Sequence, residues 1–266
     1  MEIKSPRKRE LSQLAEFIAM DYFPEGVVDP ATIADCSDVS YNYGNYRDYF
    51  DGVLEYEDGR FHIYLNTHGA FEPSIPRMRF TFAHELGHYF IDEHRNALKK
   101  GKSLHTSFYK LQRKNIVELE ADFFASCLLM PEVRFKELAT SKKFDFSLVE
   151  LLKNSFQTSI SATLFRMIEL DTYPFMVVVS EANRIKYHWR TEDFPYKYFV
   201  EHGTGKLPVL TAAGDFFNHG EEYADTEEVE VSGWFNSYKD DYRGITLYEK
   251  CIYQTSLGRV ISILWQ

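Results

Sequence analysis

Residues 81–90 read TFAHELGHYF and contain the run His84-Glu85-Leu86-Gly87-His88. On an α-helix, residues four apart share a face, so His84 and His88 can aim two imidazoles at one ion. Glu85 falls one position round, within reach of a water at that ion without being a ligand itself. Zinc acidifies water, and a neighbouring carboxylate can take the proton as the water attacks a carbonyl. That is the chemistry behind the pattern H-E-x-x-H on a helix. The bare pattern also occurs by chance, so its surroundings carry the argument. Phe80, Phe82, Ala83, Leu86 and Phe90 would bury the segment, and Gly87 leaves space beside the two histidines.

A catalytic zinc site needs a third protein ligand and an open position. Two candidates compete. His94 lies ten residues after His84, the spacing of H-E-x-x-H-x-x-G-x-x-H, but Ile91 stands where that pattern has its glycine. A helix continuing through Ile91 would carry His94 past the metal. The alternative is the run Val117-Glu118-Leu119-Glu120-Ala121-Asp122 on a second helix. Glu118 and Asp122 share a face, so Glu118 can ligate while Asp122 accepts a hydrogen bond from one histidine, fixing its tautomer and ring direction. Glu120 points elsewhere and reads as solvated, with a place in reserve as third ligand. A carboxylate pair on a helix otherwise built of Ile116, Val117, Phe123, Phe124, Leu128 and Leu129 calls for a partner, because a bare buried carboxylate is costly.

The elements that must hold these residues can be read from periodicity. Residues 6–20 show helical spacing at Leu11, Leu14, Ala15, Ile18 and Ala19. Residues 52–66 alternate on either side of Asp58-Gly59, a hairpin signal. Pro76 suits the first turn of a helix capped by Ser74 and running to about Glu93. A polar loop over 96–106 follows. A second long helix covers roughly 113–130 and stops at Pro131, with a short helix over 131–139. Residues 146–170 hold two helical patterns split near Gln157-Thr158. From Tyr173 the texture turns to strands, at 175–190, 227–235 and 245–266, with turns at Glu181–Asn183 and Ser256–Gly258. Three regions result: a core over 1–135, a helical module over 136–171 and a β-rich region over 172–266.

The bulk numbers bound the function. The chain has 266 residues, 44% hydrophobic and 26% charged, which suits a soluble globular protein with a sizeable core. A net charge of −10 argues against DNA or an anionic membrane as partner, and the short basic run Arg7-Lys8-Arg9 reads as a solvated face. Cys36, Cys127 and Cys251 form no C-x-x-C pair, so a cysteine zinc site is not indicated and free thiols in a reducing compartment are. The N-terminus lacks the apolar region of a signal peptide, and no apolar run could span a bilayer. A cytoplasmic protein is expected.

Arg79-Phe80-Thr81-Phe82-Ala83 before HELGH, then EADFFASCLLMP at Glu120–Pro131, closely resemble the ImmA/IrrE-type metallopeptidases. The family pattern is roughly R-F-T-x-A-H-E-L-G-H, followed by E-x-x-A-[ND]-x-F-A-x-x-L-L-M-P. Glu118, Ala121, Asp122, Phe124, Ala125 and Leu128 to Pro131 match, and the likeness covers about residues 6–170. Aspartate at 122, where asparagine is common, is a modest departure, since both accept a hydrogen bond. The resemblance implies an α+β fold. It has a gluzincin-like peptidase core of a small sheet, the HExxH helix and a second ligand helix, then a helix-turn-helix-like module and a variable C-terminal region. It implies a Zn2+ site of His84, His88 and Glu118, with Glu85 as base and Asp122 in support. It also implies a protein substrate, a DNA-binding repressor of helix-turn-helix type, whose cleavage releases stress, prophage or mobile-element genes.

An alternative is a non-catalytic metal-binding protein, a regulatory or antitoxin-like partner. Glu85 favours the enzyme, because a structural zinc site is closed by four protein ligands and has no use for a carboxylate beside them. The strand over Arg60–Asn66 is expected to be the sheet edge that pairs with an extended substrate. Donors for the oxyanion are sought among His62, His68, His105 and Tyr109. In the 146–170 module only Lys153 and Arg166 are basic, so helical packing is the better reading than DNA contact, and no direct nucleic-acid binding is expected.

Overall fold

The computed structural model describes residues 3–68, 75–101, 115–140, 142–200, 205–236 and 242–266. It is α+β, with two sheets and, among the described residues, ten α-helices. The chain divides into two units: Met1–Ser141 with Val149–Arg166, and Lys142–Leu148 with Met167–Gln266.

In the first unit, α1 (Ser5–Tyr22) has a proline in its first turn and buries Leu11, Ala15, Ile18 and Ala19, the stripe its spacing dictates. Helix α2 (Pro30–Cys36) starts where the Asp29 carboxylate accepts from the amides of Ala31 and Thr32, a cap worth about 1 kcal/mol. Strands β1 (Ser40–Gly44), β2 (Gly52–Glu57) and β3 (Arg60–Asn66) form a sheet in the order β1-β3-β2. Asp58 and Gly59 both have positive φ, 49° and 84°, as a two-residue hairpin turn requires. Phe61, Ile63 and Leu65 of β3 face the core. Strand β3 lies in the centre, parallel to β1 and antiparallel to β2. It therefore has no open edge to offer a substrate, contrary to the expectation from sequence.

Helix α3 (Pro76–Phe90) carries HELGH, and α4 (Asp92–Lys99) follows it after a single non-helical residue, Ile91, at φ −74° and ψ 111°. The spacing predicts one helix running to Glu93 and a loop from residue 96. Instead the chain breaks at Ile91, and Asp92 and Glu93 open a new helix with carboxylates in its first turn, where the helix dipole favours them. Ser74 lies outside the described residues. Helix α5 (Ile116–Leu129) is capped by the Asn115 side chain and packs against both α3 and α1. The N-terminus of α6 (Glu132–Thr140) is closed by Glu16 of α1, whose carboxylate accepts from the amides of Glu132 and Val133 at 2.7 and 3.4 Å. In α8 (Ile160–Glu169), which follows α7 (Phe146–Phe156), Arg166 is buried. It donates to the Met130 carbonyl at 3.1 Å and to the Cys127 sulfur at 3.3 Å. One of the two basic residues of the helix-turn-helix-like segment is thus an internal anchor of α8, in keeping with a packing role.

The second unit is built on an antiparallel sheet of β4 (Phe175–Glu181), β5 (Arg184–Arg190), β6 (Glu227–Glu230), β7 (Thr246–Gln254) and β8 (Arg259–Trp265), in the order β5-β4-β8-β7-β6. The stretch 227–235 is strand only to Glu230, where α10 (Val231–Trp234) begins. Helix α9 (Ala212–His219) has no counterpart in the sequence reading. Both helices turn around one buried carboxylate. Glu249 accepts from the amides of Ala212 and Ala213 at 2.9 and 3.1 Å, from Trp234 Nε1 at 2.9 Å and from the Ser262 hydroxyl at 3.0 Å. Burial pushes its carboxyl upward and these donors oppose the shift. Glu249→Leu strands at least three buried donors, so it is expected to destabilise this unit by about 3 kcal/mol or more, read as a lowered denaturant midpoint for the fluorescence of its tryptophans.

No disulfide joins the three cysteines. Among the described residues no helix is long and apolar enough to cross a membrane.

Candidate metal centre

HELGH folds as a helix because Pro76 sets its first turn and Met78, Phe82, Ala83 and Leu86 supply an apolar stripe for the core. That stripe turns His84, Glu85 and His88 inward as well. His88 is fully buried, Glu85 is 1% exposed and His84 is 9% exposed. Against them lies α5. A Cβ on Gly87 would meet Phe124 Cδ1 at 3.1 Å and the Ala121 backbone at 3.3 Å, so the glycine lets the two helices approach closely. The space it leaves is taken by α5. The face that crosses there is the one bearing Glu118 and Asp122.

Three potential ligand residues converge. His84 Nε2 and His88 Nε2 are 3.1 Å apart. Glu118 reaches them with Oε2 at 3.3 Å from His84 and Oε1 at 3.7 Å from His88. These three residues form the cluster whose ligand atoms all fall within 4.8 Å of one another. Each histidine is held from behind. His84 Nδ1 meets Asp122 Oδ1 at 3.0 Å, and His88 Nδ1 meets His94 Nδ1 at 3.1 Å. With the Nδ1 atoms so occupied, both Nε2 atoms face Glu118. Two nitrogen lone pairs and a carboxylate this close, out of water, repel one another unless a cation sits among them. Burial lowers the His84 pKa, but hydrogen bonds to Asp122 and Glu118 and the charge of Glu85 outweigh it and hold His84 up, to about 10. Without an ion, a proton meets the demand for positive charge; a divalent cation meets it more fully. Two imidazoles and one carboxylate are the donor set of a zinc site with a position left open.

Glu85 sits at the side of this cluster, under the start of β2. A Cβ on Gly52 would lie 3.0 Å from Glu85 Oε1, 3.2 Å from its Cγ and 2.6 Å from Thr81 Cγ2. The bare glycine backbone makes room for the carboxylate.

Two residues stand where sequence reasoning did not put them. Glu120 is half-buried and paired, not freely solvated. Its carboxylate lies 2.9 Å from Arg7 of α1 and 3.2 Å from His94 Nε2, because α1 covers that face of α5. His94 is buried and does return to the site, since the break at Ile91 folds α4 back. It returns to the rear of His88, though, and stays outside the donor cluster. The acidic pair Asp92-Glu93 was the available signal for the new helix start. Of the oxyanion candidates, His62 is engaged by Ser40 and Asn42 at 2.7 and 2.6 Å, and His68 lies beside Asn45 and Asp48. His105 and Tyr109 fall outside the described residues.

Residues 54–167 match the model of a peptidase family, peptidase M78, described as the IrrE N-terminal-like domain. The resemblance carried by HELGH and ELEAD holds over this stretch. The matched segment contains α3 and α5 whole, and with them every residue of the donor cluster. No curated protein sequence matches the chain. Among solved structures, the fold is similar to that of a Mycobacterium tuberculosis transcriptional regulator, with a TM-score of 0.57 over 96% of this chain and 75% of that one. At 13% identity the likeness is one of fold.

Proposed function

We propose that the protein is a zinc-dependent endopeptidase with a gluzincin-like core. The observation that carries this is the convergence of His84, His88 and Glu118 at 3.1–3.7 Å with Glu85 beside them. Its setting within a segment matching a peptidase family supports it. His84 and His88, through Nε2, and Glu118 would hold the ion, and Asp122 fixes the His84 tautomer. When bound, zinc supplies Lewis acidity and charge stabilisation at the scissile carbonyl. Glu85 accepts the proton of the attacking water and passes it to the leaving amine. Burial keeps bulk water from competing for the carboxylate. Among the described residues β2 is the sheet edge next to Glu85, so β2 takes the role expected of β3 and offers its open backbone to an extended substrate.

Gly52→Ala tests the placement of the base. The added methyl must displace Thr81 and Glu85, and a shift near 1 Å in a catalytic group lowers turnover by about 100-fold. Zinc content should stay at the wild-type level, because Glu85 is not in the donor set; turnover and metal analysis on the same sample decide.

The substrate we infer is a protein regulator of the helix-turn-helix repressor type, cut inside the cell so that the genes it silences are released. The family resemblance supports this, as does the fold shared with a transcriptional regulator. The zinc-loaded protein, incubated with any helix-turn-helix regulator found encoded next to its gene, should yield one new pair of termini by mass spectrometry, and a chelator should abolish them. An uncut regulator at equimolar enzyme would remove this substrate from consideration.

A further inference from the structure

Behind His88 runs a line of polar side chains that the donor cluster does not use. His88 Nδ1 lies 3.1 Å from His94 Nδ1, His94 Nε2 lies 3.2 Å from Glu120 Oε2, and Glu120 Oε2 lies 2.9 Å from Arg7. Arg7 is in turn clamped by Glu93 at 3.0 Å and by Glu10 at 3.0 Å. Helices α3, α4, α5 and α1 each give one member, and His88 and His94 are buried.

We propose that His94, oriented by Glu120 and Arg7, is a positioning residue that fixes His88 with its proton on Nδ1 and its lone pair on Nε2, toward the metal. The inference rests on the zinc-site reading above. The order of protons follows from the partners. A carboxylate paired with an arginine is ionised and can only accept. His94 therefore donates to Glu120 from Nε2–H. That leaves a lone pair on His94 Nδ1, and one proton fits in the 3.1 Å gap to His88 Nδ1. His88 is thus the donor there, and its other nitrogen is bare. His84 reaches the same state by a shorter route, through Asp122 alone. The two ligands are set differently, one by a carboxylate and one by a second imidazole whose tautomer is imposed from the first turn of α1. The break at Ile91 is what makes this possible, since it folds α4 back onto the rear of His88.

The test uses the full chain and zinc alone as probe. Nitrogen NMR of the imidazoles should place the His94 proton on Nε2, with and without zinc. His94→Phe keeps bulk but removes the acceptor, and should weaken zinc binding by about 10- to 100-fold. His94→Gln, whose side-chain carbonyl can accept from His88, should recover part of that loss. Arg7→Met keeps an unbranched side chain of similar length and should weaken binding in the same direction by a smaller factor, which serves if His94→Phe does not fold. A His94 proton found on Nδ1, or zinc affinities of the folded His94→Phe and Arg7→Met proteins equal to wild type, would overturn the proposal. Failure of the metal-site reading looks different: wild type would bind no zinc, or Glu118→Ala would bind it as tightly as wild type.

Discussion

Glu85→Gln should keep its zinc and lose its cleavage. The substitution preserves shape, which matters at a site 1% exposed and packed under Gly52. It leaves the donor set of His84, His88 and Glu118 untouched. What it removes is a group able to accept a proton, and such groups contribute about 100- to 10,000-fold to rate. Turnover should therefore fall by that factor while metal content and thermal midpoint stay near wild type. Any substrate segment pairing with β2 should still bind, so the loss should appear in kcat and not in KM. A Glu85→Gln protein that cut at the wild-type rate with zinc in place would end the catalytic reading and leave the metal a structural or regulatory part.

Removal of Glu118 acts on the other half of the site. Four-ligand structural zinc sites bind with about 10–16 kcal/mol in all, so a single ligand is worth on the order of 3–4 kcal/mol, roughly a few hundredfold in affinity. Glu118→Ala should show that loss in competition with a chromophoric chelator, a larger one than any change at Glu120 or His94. The wild-type affinity should also depend on pH with a definite sign. His84 is raised to about 10, so at neutral pH the metal-free site holds a proton that the ion must expel. Affinity should then rise as pH rises, by up to roughly tenfold per unit, and calorimetry in buffers of different ionisation enthalpy should count a proton released on binding. Stoichiometric zinc in Glu118→Ala together with complete loss in His94→Ala would move the third ligand to His94.

Much of this site was legible in the amino-acid sequence because its parts are local. Helical spacing put His84 beside His88 and Glu118 beside Asp122, and Asp58-Gly59 marked the hairpin that lays β2 over α3. What the chain did not disclose depends on partners distant in sequence. Ile91 ends a helix with ordinary negative φ, so no glycine announced the break, and the bend follows from what α4 gains by packing its buried His94 and Leu98. Glu120 lies on the far side of α5 from Glu118, which would be solvent if α1 were absent. The direction of the Arg7 side chain decides otherwise, and no periodicity encodes it. Strand order is a further case: alternation identified β3, while its central place depends on β1 joining in parallel from before the hairpin. Helix α9 was missed although its caps are local: Thr211 accepts from the Gly214 amide and Gly220 ends the helix at positive φ, while the distant Glu249 adds bonds to its first amides.

The strand order of the second unit has a consequence for synthesis on the ribosome. Strand β8 is the middle of the sheet, pairing with both β4 and β7, yet it follows all the other strands in the chain. Until residues 259–265 have emerged, the β4–β5 hairpin and the β6–β7 pair have no shared strand and each exposes an unpaired edge. The residues of the first unit are all made before β4 begins. The unit bearing His84, His88 and Glu118 can therefore form early in translation, while the sheet closes late. Such long-range closure is slow and leaves edges open to other chains, so the nascent protein is most in need of chaperone cover after the unit with the candidate cluster has formed.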